Sequence, residues 1–274
     1  MIESLQNEQV KYVVSLQRSK HRKEARLFVA EGWRFVGEAL SRNAALEKVM
    51  VCLETEQPEW PRYCKIMEKR GIPVEEVSQR VFRKMSATEE PQGILALVRQ
   101  KSHTLKDLDI RQDTVMLVID RIRDPGNLGT ILRTALAAGV NQVCLTPGTV
   151  DLYSPKVLRA TMGAVFSLTL LPEQPAEMIL AFCRKRGIGI FTADTLGTSV
   201  FETGFEDGPL ALVLGNEDKG SSSWFRQTDA KLVRIPMEQD VESLNVSIAA
   251  GVLLYEIKRR RIRTKCGKGD KIDP

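Results

Sequence analysis

Three short stretches hold side chains whose types and spacing could do chemistry. "VMLVID" is followed by Arg121-Ile122-Arg123-Asp124-Pro125-Gly126-Asn127, and "LALVL" by Gly215-Asn216-Glu217-Asp218-Lys219-Gly220. "LVRIP" is followed by "MEQDVESLN", residues 237 to 245. These stretches carry guanidinium, carboxylate, amide and hydroxyl groups. The only histidines are His21 and His103, both among basic residues in polar stretches. The cysteines (Cys52, Cys64, Cys144, Cys183, Cys266) are scattered without a C-x-x-C pair. That argues against imidazole catalysis, a metal site and a disulfide framework alike. What remains is chemistry by orientation, hydrogen bonding and fixed charge.

The elements that must position these groups come in two sets. From residue 5 to about 25 the pattern is helical and turns strongly basic. "RLFVAEG", "LEKVMVCLE", "PVEEV" and "ILALVRQ" read as strands, with helices over "WRFVGEALSR", "WPRYCKIMEKRG" and residues 78–86, a first α/β unit over 1–100. Residues 101–113 show no apolar period and read as a linker. From 114 to 265 the alternation is cleaner. Strands "VMLVID", "QVCLT", "SLTLL", "IGIFTAD", "LALVLG" and "KLVRIP" alternate with helices, the last starting at Ser243 and running into "KRRR". Short, nearly all-apolar strands between helices indicate a parallel sheet covered on both faces. Ligands of such sheets bind beyond the carboxyl ends of the strands, where all three polar stretches fall.

The ligand is narrowed by what is missing. There is no G-x-x-x-x-G-K-[ST] phosphate loop, and no strand is followed by a dinucleotide glycine fingerprint; the glycines of "GIGIF" precede their strand. No run of about 18 apolar residues is present, and "MIESLQNEQVKYVV" lacks a secretory core, so a cytoplasmic protein is expected. The net charge of +5 is concentrated: residues 258–274 hold eight Lys/Arg against two Asp, leaving −1 for the rest. With Arg18, Lys20, Arg22, Lys23 and Arg26 this makes two basic clusters suited to a polyanion. Residues 266–274 read as a basic tail.

At these residues the chain resembles a known family. "NLGTILRTALAAG", "LVLGNEDKG" and "RIPMEQDVESLNVSIAAG" look like the three signature motifs of the SpoU (TrmH-type, SPOUT superfamily) RNA 2′-O-ribose methyltransferases, in the family's order. The N-terminal "SLQNEQVKYVVSLQ" and "RLFVAEGWRFVGEAL" resemble the substrate-binding domain many of these enzymes carry, an α/β fold like RNA-binding ribosomal proteins. The resemblance implies a deep trefoil knot in the C-terminal parallel-sheet domain, a homodimer, S-adenosyl-L-methionine as cofactor without a metal, and RNA as partner, ribosomal RNA before tRNA and not DNA.

The resemblance also implies roles. Arg133 falls outside the helical stripe of Leu128, Ile131, Leu132, Ala135 and Leu136. Because a guanidinium does not deprotonate readily, Arg133 is expected to clamp phosphate and stabilise charge developing on the 2′-oxygen, with direct proton abstraction the second reading. Asn127 is expected to cap its helix and hold the arginine or the ribose, and Glu217 to orient Arg133 or, second, to accept the hydroxyl proton. Ser243 reads as an N-cap, with Asn245 beside it at the substrate ribose. Gly215 is expected to let the cofactor approach the backbone, Ile235 and Leu244 to sandwich adenine, and Asp194 to floor the pocket. "AAG" at 249–251 gives the last helix a small-residue face for close packing. Two other readings stay open: a non-catalytic RNA-binding protein of the same fold, and methylation of a base.

Overall fold

The computed structural model describes residues 1–53, 57–205, 208–226, 230–239 and 241–267, with side chains to residue 262. The basic tail expected at 266–274 therefore lies outside the described side chains. The chain divides into two compact units, residues 1–101 with 153–166, and residues 102–152 with 167 onward.

The first unit opens on α1 (Glu8–Ser15) and α2 (Ser19–Ala25), two helices where the pattern indicated one. Asn7 caps α1 by accepting from the Gln9 N–H, and extended backbone at Arg18 separates the pair. Then come β1 (Leu27–Glu31), α3 (Trp33–Ser41), β2 (Leu46–Val51), α4 (Trp60–Lys69), β3 (Val74–Glu76), α5 (Gln79–Met85) and β4 (Ile94–Arg99). The sheet runs β1-β4-β2-β3, with β4 antiparallel to both neighbours and β2 parallel to β3. Central β4 is buried along "ILALV", which is why it is apolar without alternation. One basic-cluster residue is not at the surface. Arg22 is 4% exposed, and its guanidinium donates to the Leu16 carbonyl at 2.7 Å. It anchors the turn between α1 and α2 and is lost to the polyanion surface expected of it.

The second unit runs β5 (Val115–Ile119), α6 (Pro125–Ala138), β6 (Gln142–Leu145), then α7 (Pro155–Thr161) in the segment that packs with the first unit. It continues with β7 (Thr169–Leu171), α8 (Ala176–Arg186), β8 (Gly189–Ser199), β9 (Leu210–Leu214), the single turn α9 (Ser223–Arg226), β10 (Lys231–Arg234) and α10 (Val246–Gly267). The sheet order is β10-β8-β9-β5-β6-β7, and every pair is parallel. The all-apolar strands thus build the two-sided parallel sheet that their composition indicated. The stretch 101–113 is not featureless. Thr104 and Asp107 form a capping box around a 3₁₀ turn, and Leu108 is buried in the core beside Met116 and Val118.

The segment 153–166 belongs with the first unit in packing. Tyr153 stacks on Phe28 with ring centroids 4.9 Å apart, and Phe166 meets Phe35 at 4.9 Å. Val157 and Leu158 of α7 are buried. A fragment of residues 102–274 would strip the cover from these four side chains. It is expected to bind a hydrophobic dye and to aggregate where the full chain does not; a monodisperse, dye-silent fragment would contradict this packing.

The arginines near the end of α10 are structural. Glu256, 7% exposed, accepts from Arg259 Nε and Nη2 at 2.7 Å and from Arg260 Nε at 2.6 Å. Arg260 also donates to the Phe201 carbonyl, and Arg261 donates to the Asp113 and Gly208 carbonyls. This part of the second basic cluster ties the helix to neighbouring loops. The hydrogen bonds from Arg259, then Arg260, hold the Glu256 carboxyl down to about 2 against the opposing effect of burial. The folded value lies below the unfolded one, so the stabilisation is present above the ordinary 4.5 and is lost as pH falls toward about 2. In urea titrations, Glu256→Gln should be less stable than the wild type at neutral pH, and the gap should close across that acid window. A gap independent of pH would mean the carboxylate is not held this way.

Candidate functional site

Three loops at the carboxyl edge of the parallel sheet meet beside a cleft of about 610 Å³. The loops after β9 and β10 line it together with part of β8 and the start of α10, while the loop after β5 reaches it through hydrogen bonds to Glu217 and Asn245. It is lined by Asp194, Gly215, Glu217, Ile235, Ser243 and Leu244 among others. The first loop follows β5 and leads into α6. Asp124 caps that helix, its carboxylate accepting from the Asn127 N–H at 2.7 Å, with Pro125 at the first helical position. The expected cap, Asn127, is therefore displaced by Asp124, and its amide is free for other work.

That work is the centre of the site. Asn245 Nδ2 donates to Asn127 Oδ1 at 3.0 Å, and Asn127 Nδ2 donates to Glu217 Oε1 at 2.9 Å. Asn216 Nδ2 donates to the other oxygen, Oε2, at 3.2 Å and to the Arg121 carbonyl at 3.1 Å. One side chain from each loop is thus joined in a line. Its direction is forced, because an ionised carboxylate only accepts: Asn127 must turn its nitrogen to Glu217 and its oxygen to Asn245. Asn245 Oδ1 then accepts from the Ser247 N–H at 2.9 Å and from the Ser247 hydroxyl at 2.6 Å. Helix α10 starts at Val246, so its cap is Asn245. Ser243, expected as the cap, stands two residues earlier, exposed on the cleft wall.

Arg133 points away from the buried stripe of α6 and is exposed, as its spacing required. Among the described residues it makes no ion pair or hydrogen bond, and Glu217, expected to orient it, is held by Asn127 and Asn216 instead. Ile235 is half-buried and Leu244 is 38% exposed, and both line the cleft as an apolar pair open to a ligand. Asp194 is nearly buried and engaged, with Arg226 Nη2 at 2.8 Å and the Leu196 N–H at 3.0 Å. Gly251 of the small-residue stretch lies 3.9 Å from the Thr134 methyl of α6, counted from where a Cβ would stand. Thiol chemistry is closed off in the core: burial pushes Cys144 and Cys183 up to about 12.

Sequence reasoning missed Asn216 and Asp120. Asn216 lies in a turn between glycine and carboxylate, where an amide often bonds its own backbone; its Oδ1 accepts from the Asp218 and Lys219 N–H groups at 3.2 and 3.1 Å. Asp120 ends an apolar strand and is 1% exposed. A lone carboxylate closing a core strand was the signal.

The reason for Gly215 also differs from expectation. A Cβ there would overlap the backbone of Gly220 and Ser221, so the space beside its Cα is filled by its own turn and not by a ligand. Gly220 is different, with a left-handed φ of +64° and open space where a Cβ would go. Gly220→Ala should therefore cost about 1 kcal/mol, and Gly215→Ala more than that because backbone must move. Chemical denaturation of both variants checks the order; equal costs would mean that the turn yields freely.

Comparison with known proteins places this geometry. Residues 114–255 match the SpoU rRNA Methylase family, and residues 7–96 match the MRM3-like substrate binding domain. The chain is 30% identical, over 94% of its length and 98% of the relative's, to the 23S rRNA (guanosine(2553)-2′-O)-methyltransferase RlmP of Bacillus subtilis. Among solved structures it is similar to an AdoMet-bound rRNA methyltransferase from Sinorhizobium meliloti, with TM-score 0.86 and 31% identity over 94% of this chain and 97% of that one. It is similar also to the SpoU methyltransferase AviRb of Streptomyces viridochromogenes in complex with AdoMet, with TM-score 0.83 and 26% identity over 94% and 99%.

Proposed function

Since the chain belongs to the SpoU rRNA methylase family, we infer that its cleft serves methyl transfer from S-adenosylmethionine to a ribose 2′-hydroxyl of RNA. The protein is an RNA 2′-O-methyltransferase, and ribosomal RNA is its substrate class, in line with its relatives and with the substrate-binding match over residues 7–96. The observation that carries the site assignment is the line Asn245–Asn127–Glu217, which binds the three motif loops at the mouth of one cleft.

The cleft fits the cofactor on its own terms. Ile235 and Leu244 offer apolar surface for adenine, and the 215–220 turn offers backbone groups for its edge. When bound, S-adenosylmethionine supplies an electrophilic methyl on a sulfonium. The chain's residues orient the acceptor. Ser243, Asn245 and Asn127 present a hydroxyl and two amides, which donate and accept at once, to the ribose. Glu217 fixes the amides. Arg133, exposed and uncommitted, takes the neighbouring phosphate and stabilises charge growing on the 2′-oxygen. Orientation, a stabilised oxyanion and release of the hydroxyl proton to water at the open cleft are what a direct displacement asks of the protein.

Two features of the assembly go with this reading. The C-terminal chain is threaded as a trefoil knot, which two close passes support. β10 pairs with β8 at Phe191 and Thr192 and again at Thr198 and Ser199, with the intervening residues looped out. A Cβ on Gly197 would overlap the Leu232–Val233 backbone. The protein acts as a homodimer through α10, supported by Ile248, Tyr255 and Ile262, spaced by seven residues along one face and each about half exposed.

Calorimetry with S-adenosylmethionine in the presence of a chelator tests the reading, and absence of binding at millimolar cofactor with RNA present would overturn it. For Arg133, a lysine keeps the charge but loses the planar fork. Arg133→Lys should lower single-turnover methylation by roughly 10²–10³-fold while leaving cofactor affinity unchanged. A near-normal rate would rule out the fork, and a collapse of cofactor affinity would move Arg133 to the cofactor side of the cleft.

A further inference from the structure

We propose that Asp120 is the positioning residue of the cofactor wall: its buried carboxylate fixes the 215–222 turn and thereby the affinity for S-adenosylmethionine. The inference rests on the reading of the cleft given above. Asp120 follows β5, at the sheet's centre between β9 and β6. Its Oδ2 accepts from the Ser222 N–H at 2.6 Å, and its Oδ1 accepts from the Thr146 hydroxyl at 2.9 Å. Its own N–H donates to the Leu214 carbonyl at 2.8 Å. One residue therefore joins the ends of three adjacent strands: its own, β6 through Thr146, and β9 through both ends of the loop that leaves it.

The loop between those ends is the wall of the cleft. Leu214 enters it, Gly215 packs on the Gly220–Ser221 backbone, Asn216 and Gly220 exchange backbone hydrogen bonds at 3.1 and 2.9 Å, and Ser222 leaves it. The turn is closed on itself and moves as a piece, so what holds its two ends sets where it stands. Both are held by Asp120. The next residue repeats the logic. Arg121 adopts a left-handed φ of +60°, uncommon for a residue with a Cβ. In that conformation its N–H donates to Thr146 and Thr149 hydroxyls at 3.2 Å each, and its carbonyl accepts from Asn216 at 3.1 Å. Such local cost persists where surrounding bonds over-determine the geometry. A charged acceptor taken out of water is a costly way to hold a loop unless both its oxygens are used, as they are here.

The test compares wild type, Asp120→Ala and Asp120→Asn. Cofactor affinity is read by calorimetry, RNA affinity by filter binding, and cofactor KM and kcat by methylation. Asp120→Ala leaves the Ser222 N–H without its acceptor and should weaken cofactor binding by about tenfold or more, raising cofactor KM in step, with RNA affinity unchanged. Asp120→Asn keeps one acceptor oxygen for Ser222 and should recover most of the affinity. General loosening of the fold would lower kcat through the active fraction and leave cofactor Kd and KM alone. That result, or an unchanged cofactor Kd in folded Asp120→Ala, overturns the proposal. Should Asp120→Ala fail to fold, Thr146→Val carries the test. It removes one of the two anchors and should weaken cofactor binding by a few-fold, and an unchanged Kd there is contrary. If the wild type itself binds no S-adenosylmethionine, the reading of the cleft fails, which is a separate outcome.

Discussion

A carboxylate that can only accept hydrogen bonds sets the polarity of the whole site. Glu217 takes the Asn127 amide on one oxygen and the Asn216 amide on the other. Asn127 must then offer its oxygen outward, where it accepts from the Asn245 amide nitrogen. Asn245 has its own oxygen left for the first turn of α10, so the same residue ends the relay and starts the helix. Three loops far apart in sequence are brought to one orientation by side chains that have no alternative arrangement with every bond made. The ribose contacts proposed for Asn127 and Asn245 rest on this arrangement.

The sheet supplies the register in which such a relay is possible. Because β10, β8, β9, β5, β6 and β7 all run parallel, their carboxyl ends share one edge, and the loops leaving β5, β9 and β10 meet there. Main-chain contacts tighten the meeting. Gly197 lies on Leu232 and Val233, and Gly215 lies on Gly220 and Ser221, each where a side chain would collide with backbone. Rigid strands carry the loops, and short polar side chains set their last degrees of freedom.

Much of this was legible beforehand. The parallel sheet followed from unbroken apolar strands, and the exposed position of Arg133 followed from helical spacing. The caps were not. "RDPGN" and "ESLN" each contain several residues able to cap a helix, and local chemistry does not choose among them. Asp124 wins because Pro125 sits naturally at the first helical position, which releases Asn127 to Glu217. Asn245 displaces Ser243 because its other end is engaged by Asn127. Charge was misleading for a related reason. Arg22, Arg260 and Arg261 count as cations in any composition, yet their guanidinium groups serve backbone carbonyls of their own fold through long apolar stems. A run of basic residues reports charge and not its partner. In sequence, the segment 153–166 is indistinguishable from an ordinary helix of the second region, because only tertiary packing shows Phe28 and Phe35 beneath its aromatic rings.

Joined by their hydrogen bond, Asn127 and Asn245 are proposed to act as one unit, and not as two independent ribose contacts. A double-mutant cycle on single-turnover methylation decides between the two, with Asn127→Ala, Asn245→Ala and the double variant measured at saturating cofactor. Action as one unit would give strong non-additivity: the double variant should be about as slow as the slower single one, with a coupling of roughly 1–3 kcal/mol. Additive effects, with each substitution costing the same in either background, would contradict it and leave the relay a feature of the resting protein alone.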